Sequence, residues 1–150
     1  MNNNGVIILM ADDDADDRVM TKDAFDENLI KNPLHFVEDG EELLEYLYRR
    51  GKFESLREMP LPGLILLDLN MPRKDGRQVL EEIKREPRFR HIPVVVLTTS
   101  KQEEDILKTY QLGCSGFITK PVRFDGLIDI VRSLRQYWIE IVEFPGRNGH

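Results

Sequence analysis

Three aspartates, an asparagine, a threonine and a lysine hold the chemistry this sequence offers, and each lies at or just past the end of a short apolar run. Asp12 and Asp13 come after residues 6–11, Asp68 after 64–67 with Asn70 two positions on, Thr98 at the end of 93–98, and Lys120 shortly after 116–118 with Pro121 behind it. Carboxylates brought to one place repel and raise one another's pKa unless a cation neutralises them. Mg2+ suits the task, because it accepts a few carboxylates, a carbonyl and several waters in an octahedral array. In this reading Asp13 and Asp68 ligate directly, Asp12 acts through water and Asn70 offers its backbone carbonyl. Lys120 adds a positive charge and Thr98 a hydroxyl donor. The set makes a pocket for a tetrahedral anion attached to a carboxylate. Phosphoryl transfer needs that equipment: in-line positioning, with metal, cation and donors neutralising the equatorial oxygens. Asp68, the central member, is the natural nucleophile.

Each residue alone has a plainer use. Asp14, Asp16 and Asp17 suit the capping of a helix and its dipole, Ser100 the capping of a later one, and Lys120 the solvated surface where most lysines lie. The elements that carry them argue for convergence. Five apolar runs, at 6–11, 34–38, 64–67, 93–98 and 116–118, alternate with helically spaced stripes. These stripes are Val19, Met20, Ala24 and Phe25; Leu43, Leu44 and Leu47; Val79, Leu80 and Ile83; Ile106, Leu107 and Tyr110; and Phe124, Leu127, Ile128, Val131, Leu134 and Trp138. The first, third and fourth runs are continuously apolar, as in parallel strands covered on both faces.

Alternating strand and helix demands a parallel sheet with helices on both sides. With right-handed crossovers, the expected fold is a flavodoxin-like, doubly wound α/β sheet of five strands in the order 2-1-3-4-5, with five helices. Ligands in such sheets bind beyond the carboxyl ends of the strands, where the candidate residues fall. Asp12 to Asp14 are consecutive, and a strand buried on both faces has no alternation to fix which two enter the site. The four apolar residues before Asp12 favour Asp12 and Asp13.

With 150 residues, 41% hydrophobic and 32% charged, the chain is expected to form one soluble domain, its core over about 5–138 and an extension over about 139–150. The net charge of −6 argues against binding a nucleic-acid backbone. Cys114 is the sole cysteine and is expected to be structural, in a reducing compartment. Without the basic and apolar parts of a signal peptide, and with no apolar run near the ~18 residues of a membrane span, a cytoplasmic location is expected. The connection 51–63 is longer than such links usually are.

Five segments together resemble the receivers of response regulators: Ile8-Leu9-Met10-Ala11-Asp12-Asp13, Leu66-Leu67-Asp68-Leu69-Asn70-Met71-Pro72, Asp75-Gly76, Val96-Leu97-Thr98 and Thr119-Lys120-Pro121. The resemblance implies a phosphorylated Asp68, Mg2+ at Asp12, Asp13 and Asp68, a switch hydroxyl at Thr98, a phosphate-pairing Lys120 and a cis bond before Pro121. It also implies a switch aromatic at Phe117, here without a hydroxyl, for which plain strand packing is the other reading. Tyr48-Arg49-Arg50-Gly51, residues 71–77 and 97–100, and the tail from Tyr137 resemble the small regulators paired with bacterial phytochromes. That implies a stand-alone receiver, phosphorylated by a histidine kinase, with no activity beyond its own phosphorylation and dephosphorylation. It also implies a homodimer through the fourth helix, fifth strand, fifth helix and tail. The apolar tail residues Trp138, Ile141, Val142 and Phe144 either cover that partner or fold back. The competing readings are an aspartate-nucleophile phosphatase, which would carry an Asp where Asn70 stands, and a receiver-like adaptor that is never phosphorylated.

Overall fold

The computed structural model describes residues 5–99, 103–121 and 123–136; Ser100, Trp138 and the rest of the tail, and the side chain of Leu107, lie outside the described residues. The elements run β1 (Ile8–Ala11), α1 (Ala15–Glu27), β2 (Leu34–Val37), α2 (Gly40–Tyr48), β3 (Leu64–Leu67), α3 (Gly76–Arg85), β4 (Val94–Thr98), α4 (Glu103–Gln111), β5 (Gly116–Thr119) and α5 (Phe124–Leu134). The strands form one parallel sheet in the order 2-1-3-4-5, as the alternation of elements requires.

The strands are apolar throughout because they feed two cores. Leu9, Ala11, Ile65, Leu67, Val94 and Val96 face one side, where Leu43, Leu47, Val79, Leu80 and Ile83 of α2 and α3 cover them. Ile8, Met10, Leu64, Leu66, Val95 and Leu97 face the other, against Ala24 and Phe25 of α1 and Leu127, Val131 and Leu134 of α5. Successive strand side chains point to opposite faces, so an unbroken apolar run is what a two-sided sheet needs. Cys114 is 7% exposed and belongs to the first core, as expected of a structural thiol.

Among the described residues, three helices start on an aspartate. Asp14 caps α1 by accepting from the backbone N–H of Asp16 at 2.8 Å. Asp39 caps α2 through Glu42, and Asp75 forms a capping box with Gln78 on α3. Three expected stripe residues face outward instead: Val19 at 60% exposed, Tyr110 at 49% and Phe124 at 37%. Val19 lies two positions from the buried Thr21 and so on the opposite side of α1, whose buried stripe is Thr21, Ala24 and Phe25. Tyr110 sits beside the buried Thr109, and Phe124 opens α5 one turn before its first buried residue, Leu127. The long connection after α2 forms a 3₁₀ turn over Gly51–Leu56. Its return is fixed by Arg49, whose guanidinium donates to the carbonyls of Met59 at 3.2 Å and Pro60 at 2.9 Å.

Candidate functional site at the carboxyl edge of the sheet

The parallel ladder continues one residue past three of the strands, and this sets the site. The backbone N–H of Asp12 donates to the Val37 carbonyl at 3.1 Å, that of Asp68 to Ala11 at 3.0 Å, and that of Lys120 to Thr98 at 2.7 Å. Asp12 and Asp68 are thereby held at the ends of fully buried strands, and Lys120 at the end of the half-buried β5. Gly76 lets α3 close over the same edge. A side-chain carbon there would stand 2.6 Å from the Asp68 carbonyl and 2.7 Å from the Leu69 Cα, both backbone atoms that cannot turn aside.

Asp12, Asp13 and Asp68 each offer a carboxylate oxygen, and these oxygens all lie within 4.8 Å of one another. Asp12 is fully buried, Asp68 is 7% exposed and Asp13 reaches solvent. Asp12 Oδ1 accepts from the N–H of Asp14 at 2.9 Å, while its own carbonyl accepts from the Arg18 guanidinium at 2.7 Å. Asp68 Oδ1 accepts from the N–H of Asn70 at 3.1 Å, and Asn70 Nδ2 donates to Thr98 Oγ1 at 3.3 Å. Lys120 Nζ crosses from β5 to reach Asp12 Oδ2 at 2.7 Å, Asp17 Oδ2 at 2.7 Å and Asp68 Oδ2 at 3.2 Å.

The electrostatics expose a charge deficit. Burial pushes the Asp12 carboxyl up to about 6, although Lys120 and the N–H of Asp14 pull it down. Burial likewise raises Asp68, and outweighs the opposing pull of Lys120 and of the Asn70 N–H. Burial alone would lower the Lys120 ammonium, but its hydrogen bonds to Asp12 and Asp17 and the charge of Asp68 win, and its pKa rises. Lys120 is therefore held as a cation. One ammonium facing Asp12, Asp13, Asp17 and Asp68 cannot balance them, and a hard divalent cation with oxygen ligands fits the remaining donor set.

Six sequence-derived candidates thus come together: Asp12, Asp13, Asp68, Asn70, Thr98 and Lys120. Phe117 is half-buried and packs against the core of α2 and α3. The expectation for Pro121 is corrected, since no cis peptide bond occurs among the described residues and the bond before Pro121 is trans. Trans is the intrinsically favoured form by about 0.5–1 kcal/mol, and a cis bond survives only where tertiary contacts impose it. Asp17 and Arg18 were not expected at the site. Asp17 reads as a helix-dipole residue and also serves there, in the first turn of α1. Its contact with Lys120 depends on the pitch of a helix against a strand more than a hundred residues away in the chain. No local signal announces it.

A doubly wound sheet of order 2-1-3-4-5 with this set of residues at its carboxyl edge defines a receiver. The model of the response regulator receiver domain family matches residues 8–132, and the chain belongs to that family. Among individual proteins it is similar to response regulator Rcp1 of Synechocystis, with 39% identity over 140 residues, 93% of this chain and 92% of Rcp1. The crystal structure of the phosphorylated cyanobacterial phytochrome response regulator RcpA superposes with a TM-score of 0.87 at 36% identity, covering 95% of this chain and 99% of that one. That of the Mn2+-bound form of Rcp1 gives 0.85 at 37% identity, covering 94% and 99%.

Proposed function

We propose that the chain accepts a phosphoryl group on Asp68 from a histidine kinase, in a Mg2+-dependent reaction, and thereby switches a protein-interaction surface. One observation carries this reading. The Asp68 carboxylate is buried at the centre of the edge, within shared-ligand distance of Asp12 and Asp13 and 3.2 Å from the Lys120 ammonium. An Asp68 oxygen attacks phosphorus as the P–N bond of a phosphohistidine breaks, and the electron pair leaves with the imidazole nitrogen. The product is an acyl phosphate. Mg2+ held by Asp13, Asp68, the Asn70 carbonyl and, through water, Asp12 would supply neutralisation of the phosphoryl oxygens. Lys120 donates to the same oxygens, and Thr98, held by Asn70 Nδ2 in the unmodified protein, offers its hydroxyl once the phosphate is present.

Thr98 ends β4 and pairs with Thr119 of β5, the strand that carries Phe117, so its movement biases the surface formed by α4, β5 and α5. The exposed Tyr110 and Phe124 on that surface support a homodimer there, with the tail from Trp138 taking part. Pairing of this receiver with a phytochrome-like kinase is supported by its likeness to Rcp1, matched over 92% of that protein. Further support comes from RcpA and from RPA3017, a response regulator in red light signalling of R. palustris, at 34% identity and TM-score 0.87. An aspartate-nucleophile phosphatase is disfavoured, because Asn70 stands where its second Asp would act and donates its amide to Thr98.

Acetyl phosphate with Mg2+ is expected to add one phosphoryl group to the protein, and Asp68→Asn to abolish the addition. A mutant labelled as fully as the wild type would sink the assignment.

A further inference from the structure

The Lys120 ammonium has three N–H donors, and the three carboxylates of Asp12, Asp17 and Asp68 use them all. A phosphoryl oxygen on Asp68 is a further acceptor. Esterification removes the Asp68 carboxylate and frees the donor it used, so only a second donor to the phosphoryl oxygens must come from Asp12 or Asp17. The candidates for release differ in what release would cost. Asp12 has a fully buried side chain, so losing its cation would strand a charge away from water, which is expensive. The Asp17 side chain is 34% exposed and lies in the first turn of α1, where water and the helix dipole both stabilise a free carboxylate.

We infer that Asp17 is the exchangeable partner of Lys120, holding the ammonium in the unmodified protein and surrendering it to the phosphoryl group. Asp17 is thus a positioning residue that opposes the phosphorylated state. The inference rests on Asp68 being the phosphoacceptor. It assigns Asp17 a part in setting how readily the switch is thrown, with no contact between Asp17 and the phosphate or the metal. It also explains a geometric detail. The Lys120 contact to Asp68 is the longest of the three at 3.2 Å, as expected if Asp17 draws the ammonium toward α1.

The test is equilibrium binding of beryllium trifluoride, an acyl-phosphate mimic, to the full chain in the presence of Mg2+. Asp17→Asn keeps the shape and removes the competing charge. It is expected to tighten binding about two- to fivefold, the effect of one partly exposed ion pair. Asp16→Asn, which removes a charge from the same helical turn without touching Lys120, is expected to leave the affinity unchanged. Thermal melting of both variants registers any loss of structure, which would weaken binding rather than tighten it. Unchanged or weaker binding by Asp17→Asn, or an equal gain in Asp16→Asn, would overturn the inference. Failure of the wild type to bind would instead overturn the phosphoacceptor reading beneath it.

Discussion

Arg73 reaches from the loop after β3 to the aspartate that caps α2, its Nε donating to Asp39 Oδ2 at 3.0 Å while its second guanidinium nitrogen engages the same oxygen. Asp39 Oδ1 meanwhile accepts from the N–H of Glu42 at 2.8 Å. One carboxylate therefore starts a helix and ties down the loop that begins at Asp68. Arg73 itself has a φ of 65°, in the left-handed region, so its backbone holds that conformation at some strain. Gly40, next to Asp39, allows the close approach, since a side-chain carbon there would meet the Lys74 carbonyl at 2.2 Å.

Asp39→Ala is expected to cost about 0.5–2 kcal/mol through loss of the cap, and Asp39→Asn less, because Asn also caps. Burial alone would raise the Asp39 carboxyl, but the Glu42 N–H and the Arg73 guanidinium outweigh it and hold it below its ordinary 3.8. Asp39 therefore adds stability that is present above the ordinary Asp range and lost as pH falls through the lowered value. Acid unfolding of Asp39→Asn is expected to lack this component. Identical acid profiles for Asn and wild type would count against the pairing.

The Asp12 carboxyl behaves in the opposite sense. Its folded pKa, raised by burial to about 6, lies above the ordinary 3.8, so the folded protein holds this proton more tightly than the unfolded chain. Without a cation, Asp12 therefore subtracts stability as pH rises from about 4 to about 6. A divalent cation competes with that proton. Mg2+ is expected to raise the melting temperature more near neutral pH than at about pH 5, and equal shifts at both would contradict the site described.

Gly76→Ala places its methyl carbon against the Asp68 carbonyl and the Leu69 backbone at 2.6 and 2.7 Å. The strand end must move, at a cost of about 1–3 kcal/mol. Labelling by acetyl phosphate is expected to fall along with the unfolding midpoint. Wild-type labelling at an unchanged midpoint would show that the edge tolerates displacement.

Removing the residues from Trp138 onward is expected to convert the proposed dimer to a monomer. Analytical ultracentrifugation reads this directly, and an unchanged sedimentation coefficient would exclude the tail from the interface.

The strand–helix alternation and the six edge residues were legible because each is local. An apolar run predicts a strand, and a doubly wound sheet must deliver the residues just past its strands to one edge. Asp12 and Asp13 were separable from Asp14 by counting the apolar residues before them, and Asp14 is indeed spent on capping α1. The hidden features depend on relations between elements. Asp17 meets Lys120 only because α1 lies beside β5's exit, and Val19 faces water because the buried stripe of α1 runs through Thr21 instead. Asn70 was expected to contribute through its carbonyl, and its amide contact with Thr98 arises from the loop's path after β3. The bond before Pro121 is trans, and sequence shows only that cis is cheap there.

Asp68 is proposed to carry the phosphoryl group. Borohydride reduction of an acyl phosphate turns the modified aspartate into homoserine, which peptide mass spectrometry locates. After incubation with acetyl phosphate and Mg2+, homoserine is expected at position 68 alone; homoserine at Asp12 or Asp13, or at no aspartate, would contradict the account.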